Sequence, residues 1–297
     1  MTSDPRHSPT LGNLWRWNDD SGLVAFASGD MHSRNKIICI GGLTDGLLAC
    51  PYTPLITERF CSKGWGVVQP LFSSSYSGYG TGSLERDSIQ ISEFILHLRE
   101  KWSCERVVIV GHSTGCQNAV HFAQYGNPNA VAMLVGIALQ APVSDQESAQ
   151  QEPGMVEFLA WAKSQSQSTA EVDMLMPLEA HYTPITVRRF LSLFDRFGDD
   201  DFFSSYFSPQ QFAERLGHLA ALPHLKAVLV AYSMSDQYVP KAIDKNRLVD
   251  SLVAAIGPKA IALKLDGDHN LLSPADGSAQ REFVDALENM VDTRLLT

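Results

Sequence analysis

The chain has 297 residues, 44% of them apolar and 19% charged, with a net charge of −10 at neutral pH. That size and apolar content suit one large α/β domain, or a core domain carrying an inserted cap. The acidic balance argues against nucleic acid and anionic membrane surfaces as partners, and no apolar run of 18 residues suggests a transmembrane span. No apolar stretch follows the opening MTSDPRHSPT, so no signal peptide is expected. Five scattered cysteines (Cys39, Cys50, Cys61, Cys104 and Cys116) form no CxxC pair and read as reduced thiols. The C-terminal TRLLT carries no peroxisomal or prenylation signal, and the expected location is the cytoplasm.

In chain order, LWRWND (14–19) and LVAFASG (23–29) predict a short antiparallel start. From there β runs alternate with helical patterns, which predicts a mainly parallel sheet with helices on both faces. KIICIGG (36–42) is the first buried strand, YTPLITERFCSKG (52–64) a helix ended by glycine, and WGVVQP (65–70) the next strand. A Ser/Gly/Tyr loop at 71–83 leads into the helix 84–102, and RVVIVG (106–111) is the strand before GHSTG. AVAMLVGIALQAP (130–142), LKAVLVAYSMSD (225–236) and AIALKLDGDHN (260–270) are further strands, with helices at 244–257 and 278–291. Residues 142–225 interrupt the alternation with Gln/Ser-rich SDQESAQQEPG and KSQSQSTAE and the aromatic helical segments VRRFLSLFDRF and DDDFFSSYF. An insertion of that size between core strands predicts a cap, with 1–141 and 226–297 as the core.

The stretch 106–126 passes from strand to helix through GHSTG, with glycines at 111 and 115 relieving a crowded turn around Ser113. A serine hydroxyl needs a base, and the base needs a carboxylate that fixes its tautomer. Asp236, just after the strand AVLVAYSMS, and His269, just after IALKLDGD, supply both in the order Ser, Asp, His. Asp266 and Asp268 flank the histidine too closely in sequence to be favoured. The competing reading is a tight turn whose serine merely caps the helix. His112 adjoins the nucleophile and should point its ring elsewhere; His121, His181, His218 and His224 read as packed or surface residues. No cluster has metal-ligand spacing, so neither metal nor other cofactor is expected. For an oxyanion, the Thr114 N–H is one donor, and the loop GGLTDG offers the Leu43 N–H first and Thr44 second. The loop SSSYSGYGTGS lacks the lysine of a P-loop, which rejects nucleotide binding; it reads as a pocket wall bearing Tyr76 and Tyr79, or as a solvated turn.

GGLTDGLLACPYTPLI, GWGVVQPLFSSSYSGYGTGSLERD, GHSTGCQNAVHF and YSMSDQYVP together resemble the fungal siderophore esterases related to the fusarinine C esterase. Uncharacterised fungal and plant α/β-hydrolases share that family. The resemblance spans about residues 36 to 275 and weakens in the insert. It implies an α/β-hydrolase fold and a serine esterase that cleaves a cyclic trihydroxamate siderophore, free or ferric, for intracellular iron release. The triad carries over to Ser113, Asp236 and His269. Residues 142–225 hold twelve acidic and five basic side chains, a net charge of −7. Such a cap should attract a substrate like fusarinine C, with free α-amino groups beside its esters, through Asp199, Asp200 and Asp201; the competing reading of that run is an acidic surface that only aids solubility. An esterase or thioesterase acting on another acyl compound is a competing reading, as is a non-catalytic receptor built on the hydrolase fold.

Overall fold

A computed structural model describes residues 9–166 and 173–295. The opening MTSDPRHS and residues 167–171 of the stretch KSQSQSTAE lie outside the described residues. In chain order the elements are β1 (Asn13–Arg16), β2 (Val24–Gly29), β3 (Asn35–Ile40), α1 (Thr53–Cys61), β4 (Trp65–Pro70), α2 (Leu84–Trp102), β5 (Arg106–His112) and α3 (Thr114–Tyr125). They continue with α4 (Pro128–Val131), β6 (Leu134–Gln140), α5 (Asp145–Ala149), α6 (Met155–Gln165), α7 (Val187–Phe194), α8 (Pro209–Leu216) and α9 (His218–Ala221). β7 (Ala227–Ser233), α10 (Lys245–Ile256), β8 (Ala260–Leu265) and α11 (Ser278–Met290) complete them.

The strands form one sheet in the order β1-β2-β4-β3-β5-β6-β7-β8. β2 pairs antiparallel with β1 and β4, and every pair from β4 to β8 is parallel, as the α/β-hydrolase expectation requires. The apolar runs form strands because helices cover both faces and successive side chains alternate between them. Along β5, Val107 and Ile109 join the apolar cluster under α2, α3 and α10, while Val108 and Val110 join the one under α1 and α11.

The chain departs from the sequence reading in two places. Residues 130–133, expected as strand, begin inside the helical turn α4, because Asn127 accepts from the Asn129 N–H and Pro128 has the fixed backbone a first helical position wants. DDDFFSSYF, expected as helix, is irregular: Phe202, Phe203 and Phe207 bury themselves in the main core, and burial rather than helical periodicity places them. Between β6 and β7 a separate apolar cluster gathers Ala149, Met155, Ala162, Met176, Phe190 and Leu193, with Leu43 and Tyr79 packed against or within it. The later side chains Phe212, Leu216 and Leu219 belong to the main core instead.

Candidate active site

The turn between β5 and α3 sets Ser113 at φ 52° and ψ −124°, a conformation costly for a residue with a Cβ. Two glycines make it possible. A Cβ on Gly111 would strike the Gly115 backbone, and one on Gly115 would strike the carbonyls of Ile40 and Gly41. The Ser113 side chain makes no capping hydrogen bond to α3, so the helix-cap reading gives no account of why this residue is serine. Its hydroxyl is left half-buried at the wall of a cavity of about 270 Å³.

His269 lines the same cavity. It follows β8, and its Nδ1 lies 2.7 Å from Asp236 Oδ2, with both side chains almost fully buried. The other Asp236 oxygen, Oδ1, accepts from the Tyr238 N–H at 2.9 Å, and the His269 N–H donates to Gln237 Oε1 at 3.1 Å. A carboxylate on Nδ1 leaves Nε2 as the nitrogen free to take a proton. The chain thus brings a strained serine and an imidazole to one cavity, with a buried carboxylate on the imidazole Nδ1. Asp268 turns instead to the Leu272 N–H.

The oxyanion candidates sit beside the serine. Thr114 is the first residue of α3, where an N–H has no partner inside the helix. Gly42 lies against Ser113, for a Cβ there would come within 2.7 Å of the serine Cβ, and the next residue is Leu43. Asp45 Oδ2 accepts from the Gly42 N–H at 2.7 Å, which holds this loop in shape. Leu43 and Thr44 line the Ser113 cavity, Thr44 with φ 68°.

The other expected contacts fall elsewhere. Tyr76 is exposed, with its ring against Gly46, and lines neither the Ser113 cavity nor its neighbour. Tyr79 is buried and its hydroxyl is 2.8 Å from His181 Nε2. Asp199 is exposed over a separate surface cavity with Glu85 and Glu214. Asp200 forms a buried ion pair with Arg189 at 2.6 Å, and Asp201 accepts from the Ser204 and Tyr206 hydroxyls at 2.7 Å. Both carboxylates turn inward because a buried charge must find donors. None of the three lines the Ser113 cavity.

Sequence reasoning missed several residues that do line it or brace it. His112, expected to point away, packs its ring 4.9 Å from that of His269. Burial, and then the neighbouring His269, pushes its titration down to about 4, so it is neutral. Its Nδ1 donates to Gln140 Oε1 at 2.6 Å, while Gln140 Nε2 donates to the His269 carbonyl at 3.1 Å. The signal was a lone glutamine at the carboxyl end of an apolar strand. Asp145, Tyr182 and Tyr238 also line the cavity. Burial pushes the Asp145 carboxyl up to about 7, with Asp200 and Asp201 adding to the rise and Arg189 opposing it. Cys116 is fully buried with its thiol pushed well above the ordinary range, so it supplies no thiolate.

A family model described as a protein of unknown function, DUF1749, matches residues 5–292. A UPF0613 protein of Schizosaccharomyces pombe is 32% identical over 285 residues, covering 88% of this chain and 89% of that one. The fusarinine C esterase sidJ of Aspergillus fumigatus is 28% identical over 264 residues, covering 72% of this chain and 74% of its own. Among solved structures, the siderophore hydrolase EstB from Aspergillus fumigatus matches with a TM-score of 0.79 and 25% identity, covering 96% of this chain and 98% of that one.

Proposed function

This chain belongs to the DUF1749 family and is an ester-hydrolysing enzyme of the α/β-hydrolase fold, and from that premise we propose that Ser113, His269 and Asp236 act as its catalytic triad on a hydroxamate siderophore ester. The observation that carries the reading is the pairing of His269 Nδ1 with Asp236 Oδ2 at 2.7 Å, His269 lining the same cavity as the strained Ser113. The Ser113 hydroxyl attacks the ester carbonyl as His269 Nε2 takes its proton. The carbonyl oxygen becomes an oxyanion held by the N–H groups of Leu43 and Thr114. His269 then protonates the leaving alkoxide, and water hydrolyses the acyl-enzyme by the same path in reverse. Neutral His112 adds no competing positive charge beside the imidazolium that forms. Within the insertion 142–225 we place the cap over this site on α5, α6 and α7, which share an apolar cluster, while Asp145 and Tyr182 line the cavity.

The siderophore assignment leans on the relatives named for that activity, and the absence of any Lys or Arg from the residues lining the cavity suits a substrate without an essential anionic group. A fluorophosphonate probe should label the wild type at Ser113 and leave Ser113→Ala unlabelled. Incubation with ferric and iron-free fusarinine C, followed by mass spectrometry, should yield its linear hydrolysis products. Cleavage of simple esters with fusarinine C left intact would overturn the substrate while keeping the serine mechanism.

A further inference from the structure

Ser113 follows β5 and His269 follows β8, three strands along in the sheet order. At about 4.8 Å between neighbouring strands, the two loops leave the sheet roughly 14 Å apart. The loop after β8 must therefore lean back across β7 to bring an imidazole to the Ser113 cavity. Gln140, the last residue of β6, stands between them and is completely buried. Its carbonyl accepts from the Ser113 N–H at 3.0 Å, and its side-chain Nε2 donates to the His269 carbonyl at 3.1 Å. One residue thus holds the serine by its main chain and the histidine by its side chain.

A primary amide offers two N–H donors and two acceptor lone pairs, and here all four are used. Oε1 accepts from His112 Nδ1 at 2.6 Å and from the Tyr52 hydroxyl at 3.2 Å. Nε2 gives its second proton to Ser233 Oγ at 3.2 Å. The amide has only one orientation, because the His269 carbonyl can only accept and must face Nε2, which leaves Oε1 for the His112 N–H. His112 in turn packs its ring 4.9 Å from that of His269. The His269 N–H is pinned from the other side by Gln237 Oε1 at 3.1 Å. No other uncharged side chain of this length carries two donors and two acceptors.

We infer that Gln140 is a positioning residue for the reaction, setting the separation of Ser113 and His269 through these two bonds; the inference rests on the triad reading. Without the bond to its carbonyl, His269 keeps only the Gln237 and Asp236 hydrogen bonds among the described residues. The imidazole can then swing about the Asp236 contact, and a shift of about 1 Å against the nucleophile costs on the order of 10² in rate. Acylation and deacylation both draw on His269, so both slow together and KM is spared. A glutamine that only satisfied buried polar groups would act on stability and leave the rate of the folded enzyme unchanged.

The test sets Gln140→Met and Gln140→Asn against Tyr52→Phe and Ser233→Ala, which each remove one bond of the amide that reaches neither Ser113 nor His269. Methionine keeps the length without the polar atoms; asparagine keeps an amide for His112 but falls one CH₂ short of the His269 carbonyl. The assay is hydrolysis of p-nitrophenyl acetate, with active sites counted from the end point of fluorophosphonate labelling. Per labelled site, Gln140→Met should lose about 10² in kcat and Gln140→Asn about tenfold, with KM within about threefold of wild type. Tyr52→Phe and Ser233→Ala should lower Tm and keep kcat within about threefold. A second readout needs no turnover: the low-field proton resonance of the His269–Asp236 pair should move or broaden in the Gln140 variants and stay in place in the two controls. Wild-type kcat in the Gln140 variants, equal losses in all four variants, or failure of both Gln140 variants to fold would overturn the proposal and leave a structural hub. Turnover surviving in Ser113→Ala would overturn the triad reading instead, and the resonance would still decide whether Gln140 places His269.

Discussion

Gly42→Ala isolates the geometry of the oxyanion loop from the chemistry of the triad. The added Cβ would lie 2.7 Å from the Ser113 Cβ and 3.2 Å from its Oγ, with the His112 carbonyl at 3.4 Å. Carbon atoms prefer separations of about 3.5–4.0 Å, so either the loop or the serine must move by about 1 Å. Neither neighbour can yield easily: Asp45 holds the Gly42 N–H, and Ser113 sits on a turn that Gly111 and Gly115 already pack to contact. A misplacement of about 1 Å between nucleophile and oxyanion donors costs on the order of 10² in rate. Overpacking also costs about 1–3 kcal/mol of stability. The assay is kcat/KM on p-nitrophenyl acetate, which needs little of the cavity, beside a thermal melt. Gly22→Ala serves as the control. Its φ of +69° strains any L-residue, yet nothing lies within 4 Å of its Cβ and it is remote from the cavity, so it should lower Tm by a few degrees without touching kcat. Wild-type kcat in Gly42→Ala would refute the placement of the oxyanion site against this loop.

Ser113→Ala should reduce kcat by roughly 10⁶ without lowering Tm, and retention of a tenth of wild-type activity would exclude a serine mechanism. Asp236→Asn keeps the shape but favours the wrong His269 tautomer, so a loss of about 10⁴ in kcat is expected. If Asp266→Asn or Asp268→Asn shows that loss and Asp236→Asn does not, the orienting carboxylate is misassigned. Asp145 titrates near 7 in the fold, above its ordinary 3.8, so its folded-state contribution is fully present at low pH and is lost as pH rises through about 7. Asp145→Asn removes that loss while its amide oxygen keeps the hydrogen bond from Gln117. It should therefore raise Tm at pH 8 by several degrees, from at most about 4 kcal/mol discounted to roughly 2 for partial exposure, and gain little at pH 4. An equal gain at both pH values would mean that the carboxyl is not titrating there.

Much of the candidate site was legible because its parts obey local rules. A serine between two glycines at a strand–helix junction can be read from five residues, and the positions of Asp236 and His269 follow from the strands that precede them. Where the reading failed, tertiary burial outweighed local pattern. DDDFFSSYF has an aromatic spacing that suits a helix, yet Phe202, Phe203 and Phe207 are held irregularly by the main core. The turn at Pro128 was written in Asn127-Pro128 but hidden by the apolar run behind it. Gln140 was passed over and His112 was expected to point away because a hydrogen-bonded hub joins residues 28 and 129 positions apart, which no linear window spans.

The acidic insert shows why formal charge in a sequence is a poor guide to recognition. Three consecutive aspartates meet three environments: Asp199 faces solvent, Asp200 is neutralised by Arg189, and Asp201 is held by hydroxyls. An exposed carboxylate exerts a field screened within about 8–10 Å, and a paired one exerts little beyond its partner. A count of acidic residues is therefore no measure of what a substrate would meet, because burial and pairing decide which charges reach beyond their own partners.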